Sequence, residues 1–133
     1  MGYYISAKLT GIFDHAITRT EAALAAEGFG IISRIDMQQT LKAKIGVEFR
    51  PYVILGACNP SLAHEALQLE DKVGLMLPCN IIVQQMAGGD IEVAGIDPVA
   101  SMEAIGNADL ATVASDVRDR LHRAIGTLQA GPK

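Results

Sequence analysis

The hydrophobic pattern changes its period several times along the chain, and each change marks an element. Tyr3 to Leu9 alternates and is rich in strand-forming residues, which predicts a first strand. From Thr10 to Gly28 the positions Phe13, Ala16, Ile17, Thr20, Ala23 and Leu24 recur at helical spacing, and Gly28 suits a C-terminal cap. Phe29 to Ile35 reads as a second strand. Met37 to Ile45 reads as a short helix with Met37, Leu41 and Ile45 on one side and Lys42 and Lys44 outward. Pro51 marks a boundary, and Tyr52-Val53-Ile54-Leu55 after it predicts a buried strand.

Asn59-Pro60 opens a third helix, since Asn is a favoured N-cap and proline loses nothing at the first helical position. Leu62, Ala63, Ala66 and Leu67 form its apolar stripe. Ile81 to Met86 and Ile91 to Ile96 flank Ala87-Gly88-Gly89-Asp90, a hairpin signal in which glycines supply the positive φ angles of a tight turn. Asp97-Pro98 starts a short helical or irregular segment. Asp109 to Gln129 is the longest helix, with Leu110, Val113, Ala114, Val117, Leu121, Ile125 and Leu128 along one face. Gly131 to Lys133 reads as a frayed tail. This order predicts an α+β fold, in which helices cover one face of a mostly antiparallel sheet.

At 133 residues the chain is expected to form a single domain, residues 1–133. Half of the residues are hydrophobic and the mean hydropathy is +0.25, an apolar supply that a second copy packed on a sheet edge or face would account for. Net charge is −4 with 11 basic and 15 acidic residues scattered along the chain, and no Lys/Arg cluster exists to follow a phosphate backbone. Nucleic-acid binding is therefore not expected. No apolar run reaches the roughly 18–20 residues that cross a bilayer, and Met1-Gly2-Tyr3-Tyr4 lacks the pattern of a signal peptide. The expected setting is the cytoplasm, where Cys58 and Cys79 would be reduced thiols.

The least ordinary chemistry lies in two Cys-Asn pairs, Cys58-Asn59 and Cys79-Asn80. Cys58 precedes the Asn59 cap, so the unpaired N–H groups and positive dipole end of the third helix should lie near its sulfur, favouring a thiolate and a nearby anion. Pro78 interrupts a strand beside Cys79, where irregular backbone can point a side chain into a cleft. If the strands that carry them are sheet neighbours, the two pairs face each other. Plain structure explains much of this as well. Cysteine often behaves as a small buried hydrophobe, and Asn59 is accounted for as a cap.

The histidines weaken a zinc reading. His15, His64 and His122 fall on polar helix faces, and none pairs with a cysteine at ligand spacing. A softer metal held by Cys58 and Cys79 is left open. GxSxG, GxxxxGK[ST], strand-linked GxGxxG and CxxC signatures are absent. Lys44, Glu48, Arg50 and Tyr52 gather before the third strand, where they read as a solvated loop. Lys44 or Arg50 would alternatively bring positive charge to an anionic ligand near Cys58.

The run from Pro51 to Pro60, then Ala63 and Ala66-Leu67, then Gly74 to Val83 resembles the domain of unknown function 302 family. Lys44-Ile45-Gly46, the Gly88-Gly89 hairpin and Asp97-Pro98 before a terminal helix agree with it. The resemblance implies a β-α-β(4)-α arrangement of the TATA-binding-protein-like type, commonly packed as a homodimer, and implies no activity. The leading expectation is a non-enzymatic dimeric module that holds a small ligand or soft metal near Cys58, Asn59, Cys79 and Asn80, with Lys44 nearby. Its rivals are a redox or sulfur-carrier protein using Cys58 with Cys79, and a structural dimerisation domain.

Overall fold

The computed structural model describes residues 2–130, so the tail read at Gly131 to Lys133 lies outside the described residues. Five strands form one antiparallel sheet: β1 (Tyr4–Leu9), β2 (Gly30–Asp36), β3 (Tyr52–Cys58), β4 (Cys79–Gln85) and β5 (Ile91–Ile96). Their order is β1-β5-β4-β3-β2, so the first two strands occupy opposite edges. The helices are α1 (Phe13–Ala26), α2 (Met37–Ile45), α3 (Pro60–Leu69), α4 (Pro98–Met102) and α5 (Ala108–Ala130).

Side chains alternate between the two faces of a strand, so register decides what each face is made of. One cross-strand row aligns Val53, Val83, Val93 and Ala7, and all four are buried. They join Ala16, Ile17 and Leu24 of α1 and Leu121, Ala124, Ile125 and Leu128 of α5 in the main core. The opposite face carries the row Ile35, Ile54, Ile82, Ala94 and Ser6 across all five strands, and no buried residue lies in it. A second apolar cluster sits beyond the sheet end, where Ala66 of α3, Met102 of α4 and Leu110, Val113 and Ala114 of α5 surround Val73.

Local chemistry explains most boundaries. Asp36, Asn59 and Asp97 each cap a helix through the side chain, and Pro60 and Pro98 occupy first-turn positions. The α1 helix starts at Phe13, three residues later than the periodicity predicts, because Gly11 stands at φ +109, outside helical space. The predicted stripe on α2 is not buried: no residue of that helix is, and Ile45 is 66% exposed. This short helix is fastened by polar bonds instead, from the Gln39 N–H to Asp36 at 3.0 Å and from Gln38 to the Phe49 carbonyl at 2.9 Å. Strand β3 runs on through Gly56, Ala57 and Cys58, and β4 begins at Cys79 rather than Ile81, because these residues continue one ladder.

The α5 helix packs on the sheet over Gly95, where a Cβ would stand 2.8 Å from Ile125 Cδ1. Gly95→Ala is expected to cost about 1–3 kcal/mol by overpacking a filled core. Adding Ile125→Val, which removes the colliding methyl, should recover part of that loss. Urea denaturation of the single and double variants measures both.

Candidate functional site

Where β3 passes into α3 the chain turns from extended to helical within two residues. Cys58 ends the strand, Asn59 caps the helix by accepting the Leu62 N–H at 3.2 Å, and Pro60 begins the first turn. Asn59 is also confined from the side. Gly28, just past the end of α1, adopts φ +89, and a Cβ on it would stand 2.9 Å from Asn59 Nδ2. Glycine is required there by backbone conformation and by this contact together.

The β3–β4 ladder brings both cysteines to one end of the sheet. Ala57 lies opposite Cys79, and Cys58 lies opposite Gly30 of β2. Gly30 contributes no side chain, and Cys58 is left half-buried. Cys79 is only 5% exposed. Burial, with a smaller push in the same direction from the nearby Cys58, raises its thiol from the ordinary 9.0 to about 11. At neutral pH Cys79 is therefore a protonated thiol. It is packed in the core as a small buried hydrophobe, and it reaches a cavity from regularly paired strand rather than from the irregular backbone read beside Pro78.

Beside these sulfurs is a cavity of about 320 Å³ between the sheet end, α3, α4 and α5. It follows the seam between the two apolar clusters, with Phe29, Ala57 and Cys79 from one and Ala66, Met102 and Ala114 from the other. The space exists because small residues line it: Ala57, Ala63, Ala66, Gly74 and Ala114 stand where longer side chains would meet. No charged residue lines it, and its polar groups are the two thiols and the Asn59 amide.

Of the five residues expected at a site, Cys58, Asn59 and Cys79 line this cavity, whereas Asn80 and Lys44 do not. Asn80 follows Cys79 in a regular strand, so alternation turns it to the other face, where it lines a separate cleft. Lys44 is exposed in the last turn of α2. Arg50 precedes the start of β3, and Cys58 ends it, which separates them by roughly 20 Å of extended strand. Arg50 therefore brings no charge to Cys58.

Among the described residues no group of three or more His, Cys, Asp or Glu side chains converges to hold a metal ion. His15, His64 and His122 are exposed, as their helical positions predict. Sequence reasoning missed the walls supplied by Phe29, Met102, Val113 and Val117. The available signal was the run of alanines on the inward faces of α3 and α5, which read as a plain helical stripe.

The Cys79 thiol has a consequence for stability. Below about pH 9 both folded and unfolded chains keep its proton. Between the ordinary value of 9.0 and about 11 the unfolded chain ionises first, so the folded state loses stability as pH rises. The loss attributable to this group should approach about 2–3 kcal/mol. It should be absent from Cys79→Ala when urea titrations at about pH 8 and about pH 11 are compared with the parent protein. In the native parent, iodoacetamide should modify Cys58 well before Cys79.

Comparison with known proteins agrees with the resemblance in the sequence. The chain superposes on a crystal structure of an uncharacterized conserved protein DUF302 from Bacillus stearothermophilus with a TM-score of 0.86. The two are 28% identical over 92% of this chain and 95% of that one. No match was found among curated proteins. The family model described as "Domain of unknown function DUF302" matches residues 5–128, and the chain belongs to that family.

Proposed function

We propose that this protein is a non-enzymatic binding module whose cavity beside Cys58 and Cys79 takes a small apolar molecule. The carrying observation is a space of about 320 Å³ with no charged wall and three polar groups. That volume is at the lower end of what small-molecule sites offer, and apolar walls with few convergent polar groups are their usual make-up. Asn59 and the half-buried Cys58 supply the polar contacts that would orient the ligand.

An organic ligand is favoured over a soft metal by the donor set. A metal here would have two sulfurs from one chain, and Cys79 would first have to surrender a proton held with a pKa of about 11. The same proton counts against exchange chemistry, since a resolving cysteine must act as thiolate. In this reading the protein works as a homodimer, as the family resemblance implies. Exposed hydrophobic side chains such as Leu75, at 86%, and Ile45, at 66%, are the kind a second copy covers.

Filling the cavity tests the ligand reading. An anilinonaphthalene dye should bind the parent protein with enhanced fluorescence and should be displaced by medium-chain hydrocarbons. Ala63→Phe, which projects a ring into the space, should lower that affinity roughly tenfold or more while the fold is retained. Unchanged dye binding by the filled variant would falsify the reading. Sedimentation equilibrium tests the dimer separately. Twice the chain mass is expected, and a monomer would remove the dimer without touching the cavity.

A further inference from the structure

On the sheet face away from α1 and α5, a second cleft of about 440 Å³ lies over β3, β4 and β5. Its chemistry is unlike that of the cysteine cavity. Gln84 is 8% exposed, one of two buried polar side chains in the described residues, and both ends of its amide are engaged. Its Oε1 accepts from Arg50 Nε at 2.8 Å, and its Nε2 donates to Glu92 Oε1 at 2.8 Å. The carboxylate of Glu92 thus fixes which way the amide faces, and the amide fixes Arg50. The guanidinium is further held against two rings, with its Cζ 4.4 Å from the centroid of Phe49 and 5.6 Å from that of Tyr52.

An arginine held this way has few rotamers left to lose. Its Nε is occupied, and among the described residues its terminal Nη groups make no hydrogen bond and no ion pair. Two parallel N–H groups in a fixed plane match the two oxygens of a carboxylate. Glu92 sits at the opposite end of the Gln84 amide, so it does not compete for that fork. Next to Arg50 the cleft is walled by Tyr52 and Tyr4 and floored by Ile82, Ala94 and Ile96.

We propose that this cleft is a second small-molecule site, which takes a carboxylate carrying a ring-sized apolar body. The carboxylate sits end-on against the Arg50 Nη groups, and the body lies on Ile82 and Ala94 beside the tyrosines. The site is independent of the cysteine cavity, and it makes use of Asn80, which also lines it.

The probe is benzoate, with benzamide as its uncharged counterpart, titrated against the intact chain by NMR. Benzoate should shift resonances of Tyr52, Ile82 and Ala94 and bind roughly tenfold or more tightly than benzamide. Arg50→Gln should erase that difference, and the exposed position makes loss of fold a minor concern. Arg50→Lys keeps the charge without the fork and should lie between. Gln84→Leu leaves the charge but frees the fork, so benzoate affinity should fall while benzamide affinity holds. Equal binding of the two probes, or an Arg50→Gln protein that still prefers benzoate, overturns the proposal. So does a cleft closed to both probes because a second copy covers it, shown by an Arg50 variant that changes the sedimenting mass.

Discussion

The hydrogen-bonded ladder between β3 and β4 decides where the two Cys-Asn pairs of this protein lie. Its register sets Ala57 against Cys79 and Gly56 against Asn80. Because strand side chains alternate, a slip of one residue would send Cys79 outward and Asn80 into the core. With the register as it is, two Cys-Asn pairs that look equivalent in sequence separate chemically. Cys79 joins Cys58 at the cavity, and its own neighbour Asn80 belongs to the opposite face.

The cavity follows from a shortage of volume at a place where two cores meet. The main core is closed by matched cross-strand rows, whereas at the seam the second cluster presents the short side chains of Ala66 and Ala114. Closing the seam would take longer side chains from α3 or α5. The residues present leave it open and surround it with hydrocarbon, which leaves the buried Cys79 thiol poorly hydrated. That environment holds Cys79 neutral, and it separates the chemistry of the cavity from that of the polar cleft behind the sheet.

Much of the fold was legible in the sequence because its signals are local. Asn59-Pro60, Asp97-Pro98 and the Gly88-Gly89 turn act through adjacent backbone groups, and each marks the boundary it predicts. The placement of Cys58 and Asn59 at a strand-to-helix turn was legible for the same reason. What was not legible depends on register and on long-range packing. Asn80 looked like the counterpart of Asn59 until strand alternation placed it. Arg50 stood out as a charge near β3, but the Gln84 that holds it and the Glu92 that orients that amide lie 34 and 42 positions further along, on β4 and β5. The unburied stripe of α2 failed differently: its period is helical, but periodicity alone does not say whether a surface exists to receive it.

The placement of β1 carries a consequence for synthesis. This strand forms an edge of the sheet by pairing only with β5, from Tyr4 against Ile96 to Leu9 against Ile91. Of these five strands β1 is synthesised first, and it therefore has no native neighbour until β5 has followed it. Pairing across so long a loop is slow to nucleate. Until it occurs, Ala7 and Leu9, which the finished fold buries, face water or whatever chaperone meets the nascent chain.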